Sequence, residues 1–252
     1  MAVTIPRTSY FICTTRRSGS WLLAGGLEDT RVAGHPSEWF NDQEEKIWCE
    51  RWGLPYPHVD YKRYLDKVRE AGMAGTDIFG AKCLGVNLLD LAPKLGAIAK
   101  YHGRPIAEVL PEIFPNLRYI WLTREDRARQ AISLYRAIQS GHWFDLEGHI
   151  NAPAPKPQFD AAEIWKCECE IRDLDNMWHR FFHDAGIDPL PVVYEELAEN
   201  YEETVRNVLR FLDVPTADTV NITPPRFKKQ SDSTTDDWVE RYRLFKINNN
   251  LR

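Results

Sequence analysis

Residues 9–21 read Ser-Tyr-Phe-Ile-Cys-Thr-Thr-Arg-Arg-Ser-Gly-Ser-Trp. The first seven are apolar and rich in strand formers, the pattern of a short buried strand. The next few are polar and include a glycine. From Ser20 onward Trp21, Leu22, Leu23 and Leu27 gather on one side of a helix. A strand, a tight loop and a helix form the opening unit of an open α/β sheet, in which ligands bind outside the carboxyl ends of the strands. A helix N-terminus at that edge offers unpaired N–H groups and a partial positive charge, both suited to phosphate. Gly19 lets the backbone approach an anion, Ser18 and Ser20 add hydroxyl donors, and Arg16 and Arg17 add full charges. The Walker pattern is absent, because Gly19 is followed by Ser20 and no Lys-Ser/Thr pair follows it. That disfavours a metal-assisted nucleoside triphosphatase and leads us to expect a site without a metal.

Outward from this unit the same alternation repeats. Strands are predicted at residues 78–84, 118–123 and 191–194. Helices are predicted at 60–72, 87–102 (interrupted by Pro93), 108–114, 124–140, 160–185, 201–212 and 235–245. Gly34 and Pro36 forbid a regular helix across residues 32–40, and three prolines make 151–158 a connecting loop. Strands alternating with helices predict a three-layer α/β fold, a mainly parallel sheet with helices on both faces. No repeat or linker interrupts it, so residues 1–252 read as a single domain.

Composition narrows the partners. The 252 residues are 43% hydrophobic and 27% charged with a formal net charge of −5, an ordinary globular balance. No long-range attraction to nucleic acid or an anionic membrane follows from it, so an anionic ligand must meet a local basic cluster. The five cysteines, an odd number, show neither a disulfide framework nor zinc spacing and read as free thiols. Residues 1–7 do not resemble a signal peptide, and no apolar run is long enough to span a bilayer. The expected location is cytoplasmic. His179 and His183 lie four apart on a helix, but the His-Glu-x-x-His pattern is absent, and a partly buried helix face is expected. The aromatic stretch of Trp48, Trp52 and Tyr56 suits a sugar face, core packing or a dimer contact equally.

The third strand ends in Leu-Thr-Arg124, and Ser133 follows inside the next helix. Arg124 again lies at the ligand edge, and the pair can converge on a phosphate if that helix folds back over the strand end. A phosphate loop after the first strand, followed by Arg-x₈-Ser after a central strand, resembles the sulfotransferases that use 3′-phosphoadenosine 5′-phosphosulfate (PAPS). A narrower resemblance is carried by Arg-Ser-Gly-Ser with Val-Ala-Gly-His-Pro-Ser-Glu-Trp-Phe at 32–40. It extends to Ile-Trp-Leu-Thr-Arg at 120–124 with Arg-Gln-Ala-Ile-Ser at 129–133, and to Lys-Gln-Ser-Asp at 229–232 with Trp-Val-Glu-Arg-Tyr at 238–242. These blocks, in this order, resemble the bacterial trehalose 2-sulfotransferase family over nearly the whole chain. The cytosolic phenol and steroid sulfotransferases differ: their Arg and Ser are one residue closer, a Lys stands in place of Arg17, and a Gly-rich motif closes the chain.

The resemblance implies a fold like that of the P-loop kinases, PAPS as co-substrate, adenosine 3′,5′-bisphosphate as product, a homodimer, and a sugar or glycolipid hydroxyl as acceptor. It implies that Arg16, Ser18, Gly19, Ser20 and Trp21 cradle the 5′-phosphate and that Arg17 meets the bridging and sulfuryl oxygens. Arg124 and Ser133 would hold the 3′-phosphate, with Lys229 and Gln230 as additions. Glu38 matches the general base of the Gly-x-Pro-x-Glu block. His35 is its rival, since the cytosolic relatives use a histidine and histidine is the usual base near neutral pH. Three other readings stand beside this one: a nucleotide-kinase-like phosphotransferase, a non-catalytic nucleotide-binding protein, and a sulfotransferase for a phenol, amine or lipid acceptor.

Overall fold

In a computed structural model that describes residues 5–143, 155–227 and 233–251, β1 (Thr8–Thr14) lies at the centre of the sheet, buried at every position. It pairs in parallel with β2 (Ile78–Leu84) on one side and β3 (Leu117–Thr123) on the other, and β4 (Leu190–Val193) pairs in parallel beyond β3. The order is β2-β1-β3-β4. The chain leaves β1 towards β2 but leaves β3 towards β4, so the connections diverge above the carboxyl ends of β1 and β3. That divergence is a topological switch point, where an open α/β sheet leaves a crevice for a ligand.

Period-two alternation divides the side chains of the sheet between two cores. On one face Phe11, Cys13, Phe79, Ala81, Cys83 and Tyr119 pack under α3 (Tyr61–Met73), α4 (Gly85–Gly96), α5 (Ile106–Ile113) and α7 (Ala161–Ala185). On the other, Tyr10, Ile12, Ile78, Ile120, Leu122 and Val192 pack under α1 (Ser20–Asp29) and α9 (Tyr201–Phe211). A third cluster joins α6 (Arg127–Ser140), α7 and α10 (Ser233–Asn248) through Ile132, Leu134, Ile164, Ile171, Trp238 and Tyr242. The result is the expected parallel α/β architecture with helices on both faces. No helix among the described residues is long and apolar enough to cross a membrane. The five cysteines are free, and all but Cys169 are buried.

Several local features differ from the sequence expectation. α2 (Asp42–Trp52) was not expected, because only Glu45 and Cys49 along it are buried. It is set by its ends: Asn41 Oδ1 accepts from the Gln43 N–H at 3.1 Å, and Gly53 closes it in the left-handed region. The helix expected at 87–102 ends at Gly96, after Pro93, and one 3₁₀ turn (Ala99–Tyr101) follows. The helix expected from Arg124 starts at Arg127, capped by Asp126, whose Oδ1 accepts from Arg129 N at 2.9 Å. A short helix, α8 (Tyr194–Glu199), continues β4 directly. His179 and His183 are exposed on α7, so no partly buried face exists there. Part of the proline loop at 151–158 lies outside the described residues.

Residues 34–40 run along the free edge of β2. Lys82 N donates to Ser37 O at 2.8 Å, and Trp39 Nε1 donates to Gly80 O at 2.9 Å. Gly34 makes this approach possible. Its φ is +71°, and a Cβ there would collide with the backbone oxygens of Ile78 and Gly72. Gly34→Ala is expected to cost about 2–3 kcal/mol of stability, read as a lower denaturant midpoint at unchanged slope.

Candidate active site

The β1–α1 loop is held in a shape that few residues tolerate. Arg17 has φ +62° and Gly19 φ +85°, so the chain turns sharply before α1 begins. A Cβ at Gly19 would collide with the Tyr194 ring at the start of α8. Glycine is therefore required twice over, for the dihedral and for the space. The Ser18 hydroxyl lies inside the loop. It is fully buried, 2.5 Å from Thr14 Oγ1, which also lies 2.7 Å from the Leu122 carbonyl and donates to it. Ser18 thus braces the loop with its side chain. The Arg16 guanidinium points back to α7 and pairs with Glu170 Oε1 at 3.0 Å.

The second predicted pair comes to the same place. Arg17 Nε donates to Ser133 Oγ at 2.9 Å, and a second Arg17 nitrogen donates to the Trp143 carbonyl. Arg124 Nη1 donates to the Arg17 carbonyl at 3.1 Å. The Arg124 guanidinium stacks 4.5 Å from the Tyr194 ring centroid and lies 3.9 Å from Glu195 Oε1. Glu195 also accepts from the backbone N–H groups of Glu125 (3.0 Å) and Asp126 (3.2 Å), which fixes the turn that carries Arg124. Burial holds the Arg124 guanidinium below its ordinary value, and the nearby Tyr194 and Glu195 oppose that shift. Its Nε is buried, makes no hydrogen bond among the described residues and is the atom that faces Glu195.

Glu38 approaches from the β2 side. Its Oε1 lies 2.8 Å from Lys82 Nζ, and its Oε2 accepts from Asn41 Nδ2 at 2.9 Å. Asn41 thus caps α2 with one end of its carboxamide and orients Glu38 with the other. Lys82 is fully buried near the carboxyl end of β2, with Nζ 3.3 Å from the centroid of the Trp21 ring. Burial pushes the Lys82 ammonium below the usual lysine value, and Glu38 opposes that shift. Burial and the charge of Glu38 push the neighbouring Glu44 carboxyl upward.

A cavity of about 990 Å³ joins these groups. Arg17, Gly19, Ser20, Trp21, Arg124 and Ser133 line one part of it; Glu38, Asn41, Gln43, Glu44 and Asn87 line another. Arg16 also reaches its wall. His35 does not line it. That ring is engaged at Nδ1 by Glu28 Oε1, 2.5 Å away, and this hydrogen bond, with the charges of His35 and Arg226, draws the Glu28 carboxyl down. Lys229 and Gln230 lie outside the described residues. Trp48 and Trp52 stack on each other with centroids 5.4 Å apart, pack against the core and do not line the cavity.

Sequence reasoning missed Lys82, Asn41, Tyr194 and Phe227 as site residues. Phe227 lines the cavity and packs against Trp21 at 5.7 Å. The available signal for Lys82 was a lysine inside an otherwise apolar strand, since a buried ammonium must have a partner.

Comparisons with known proteins identify the family. The family model described as Stf0 sulphotransferase matches residues 9–244. The chain is similar to a trehalose 2-sulfotransferase of Mycobacterium tuberculosis, 25% identical with 93% of this chain and 94% of the relative covered. It is similar to a trehalose 2-sulfotransferase of Mycolicibacterium smegmatis at 26% identity, with 94% of each covered. Among solved structures, a sulfotransferase from Alicyclobacillus acidocaldarius aligns with a TM-score of 0.45 at 12% identity, covering 95% of this chain and 93% of that one. The match over almost the full length places the chain in a family of sulfate-transferring enzymes: it belongs to the Stf0 sulphotransferases.

Proposed function

We propose that the chain moves the sulfuryl group of PAPS to a hydroxyl of a carbohydrate acceptor, with Glu38 as general base. One observation carries this reading. Arg17, Arg124 and Ser133, from two blocks far apart in sequence, meet at the switch point, and Glu38 lines the same cavity. The Gly19, Ser20 and Trp21 amides at the start of α1 are assigned to the 5′-phosphate, and Arg124 and Ser133 to the 3′-phosphate. Binding would exchange the Arg17–Ser133 hydrogen bond for phosphate oxygens. Phe227, which packs against Trp21 at the cavity wall, is assigned to the adenine ring.

Sulfuryl transfer is an in-line displacement. The bond from sulfur to the acceptor oxygen forms as the bond from sulfur to the donor's phosphate oxygen breaks, and Glu38 takes the acceptor's proton. By analogy with phosphoryl transfer, catalysis is mostly positioning and stabilisation of charge on oxygen. Arg17 is assigned to the charge that grows on the leaving phosphate. Lys82 and Asn41 hold the two oxygens of Glu38 in place. The Lys82 Nζ, fully buried between the Glu38 carboxylate and the Trp21 ring, does not line the cavity and acts through Glu38. Around Glu38 the cavity wall carries Asn41, Gln43, Glu44 and Asn87. Asn41 and Asn87 are engaged within the fold, which leaves Gln43 and Glu44 as the polar groups for an acceptor hydroxyl, beside the apolar Leu84 and Val86.

The test is calorimetric titration with adenosine 3′,5′-bisphosphate and with ADP, both without magnesium. The bisphosphate is expected to bind at least about tenfold tighter, since only it presents a 3′-phosphate for charge-assisted hydrogen bonds. Equal or absent binding would overturn the assignment and return the kinase-like reading. After tight binding, acceptor screening with PAPS follows.

A further inference from the structure

Gln130 is fully buried on α6, and its carboxamide has a single workable orientation. Nε2 donates to Thr15 Oγ1 at 3.0 Å and to the Arg16 carbonyl at 2.8 Å. Oε1 accepts from Arg127 Nη1 at 3.1 Å. A backbone carbonyl only accepts and a guanidinium only donates. Exchanging the two ends would set donor against donor and acceptor against acceptor.

Arg127 is itself held. It ion-pairs with Asp175, a buried carboxylate on α7. Burial pushes the Asp175 carboxyl above its usual range and Arg127 pulls it part of the way back. The same helix grips the loop again through Trp178, whose Nε1 donates to the Thr14 carbonyl at 2.9 Å. The residues these bonds pin, Thr14 to Arg16, come directly before Arg17 and Gly19, whose left-handed dihedrals are costly to maintain.

We propose that Gln130, oriented by the Arg127–Asp175 pair, is the positioning residue that holds the β1–α1 loop in its anion-binding shape. The proposal rests on the reading of that loop as the donor site. Without the pin, Arg17 relaxes towards an ordinary dihedral and the amides that follow it no longer converge. Gln130 touches no ligand; it acts through the Arg16 carbonyl and the Thr15 hydroxyl.

The experiment compares full-length Gln130→Leu, Gln130→Glu, Arg127→Leu and Arg127→Lys with the wild type. It measures the calorimetric Kd for adenosine 3′,5′-bisphosphate, amide hydrogen exchange across residues 15–20, and the acceptor KM. Both Gln130 variants are expected to weaken the bisphosphate roughly 10–100-fold, the range seen when outer partners that orient binding groups are removed. Loop amides should exchange faster, and the acceptor KM should stay within about twofold. Arg127→Leu should reproduce a several-fold share of the loss, and Arg127→Lys, which keeps a donor, should recover most of it. The Arg127 side chain is 36% exposed, so its variants report even if a Gln130 variant fails to fold. Unchanged affinity and unchanged loop exchange in folded Gln130→Leu or Arg127→Leu would overturn the proposal, as would a lowered melting temperature with both readouts unaltered. Failure of the wild type to bind the bisphosphate would instead overturn the donor assignment, and loop exchange would still decide the role of Gln130.

Discussion

Glu38→Gln is expected to lower kcat by about 10²–10⁴-fold, the usual worth of a general base. Affinity for adenosine 3′,5′-bisphosphate should stay within about twofold. The substitution keeps the shape of the side chain. A carboxamide oxygen can still accept from Lys82 Nζ, which lies 2.8 Å from the native Oε1, so the buried ammonium keeps a partner. What is lost is the ability to take a proton, together with the hydrogen bond from Asn41 Nδ2, which then faces an NH2 group. Turnover at saturating PAPS and acceptor, paired with calorimetry, separates the two effects. Turnover near the wild-type rate would place the base elsewhere. His35→Asn is the control: its ring is tied to Glu28 and does not line the cavity, so turnover should fall by no more than a few-fold.

Arg124→Ala is expected to weaken adenosine 3′,5′-bisphosphate by roughly 30–150-fold. A hydrogen bond to a charged group contributes about 1.5–3 kcal/mol, roughly 10–150-fold, and the upper part of that range is expected because a second contact is lost with it. A 3′-phosphate held as proposed would lose the guanidinium that lines the cavity, and the Arg17 carbonyl loses its 3.1 Å donor. ADP lacks the 3′-phosphate and should be affected much less, so the preference for the bisphosphate should collapse. Unchanged affinity for the bisphosphate would remove Arg124 from the 3′-phosphate site. Measuring both nucleotides distinguishes loss of a specific contact from general loosening of the loop.

The parts of this fold that were legible in the sequence are those whose determinants are local. β1 and its loop lie in one stretch of apolar residues followed by Arg-Arg-Ser-Gly-Ser, and β3 with Arg124 and α6 in another. Gly34 and Pro36 ruled out a regular helix over residues 32–40, and the structure adds that Gly34 passes close to the backbone oxygens of Gly72 and Ile78. α2 was illegible because most of its surface faces solvent and its buried positions are Glu45 and Cys49, too few for a periodic apolar signal. Lys82 was illegible as a site residue because its meaning depends on two residues it meets only in the fold, Glu38 and Trp21. Tyr194 meets Gly19 and Arg124 in the same way. Glu38 itself was found through a block of neighbouring residues, yet the groups that orient it come from α2's cap and from β2.

The contact between Gly19 and Tyr194 also bears on synthesis. During synthesis a domain generally folds as a unit, so the β1–α1 loop waits for the ring that shapes it. The loop is translated before β2 and β3, whereas β4 and Tyr194 follow α7. A nascent chain that has not yet made β4 carries Arg16 and Arg17 without the aromatic wall beside Gly19, so the loop reaches its final shape only once β4 and Tyr194 are present.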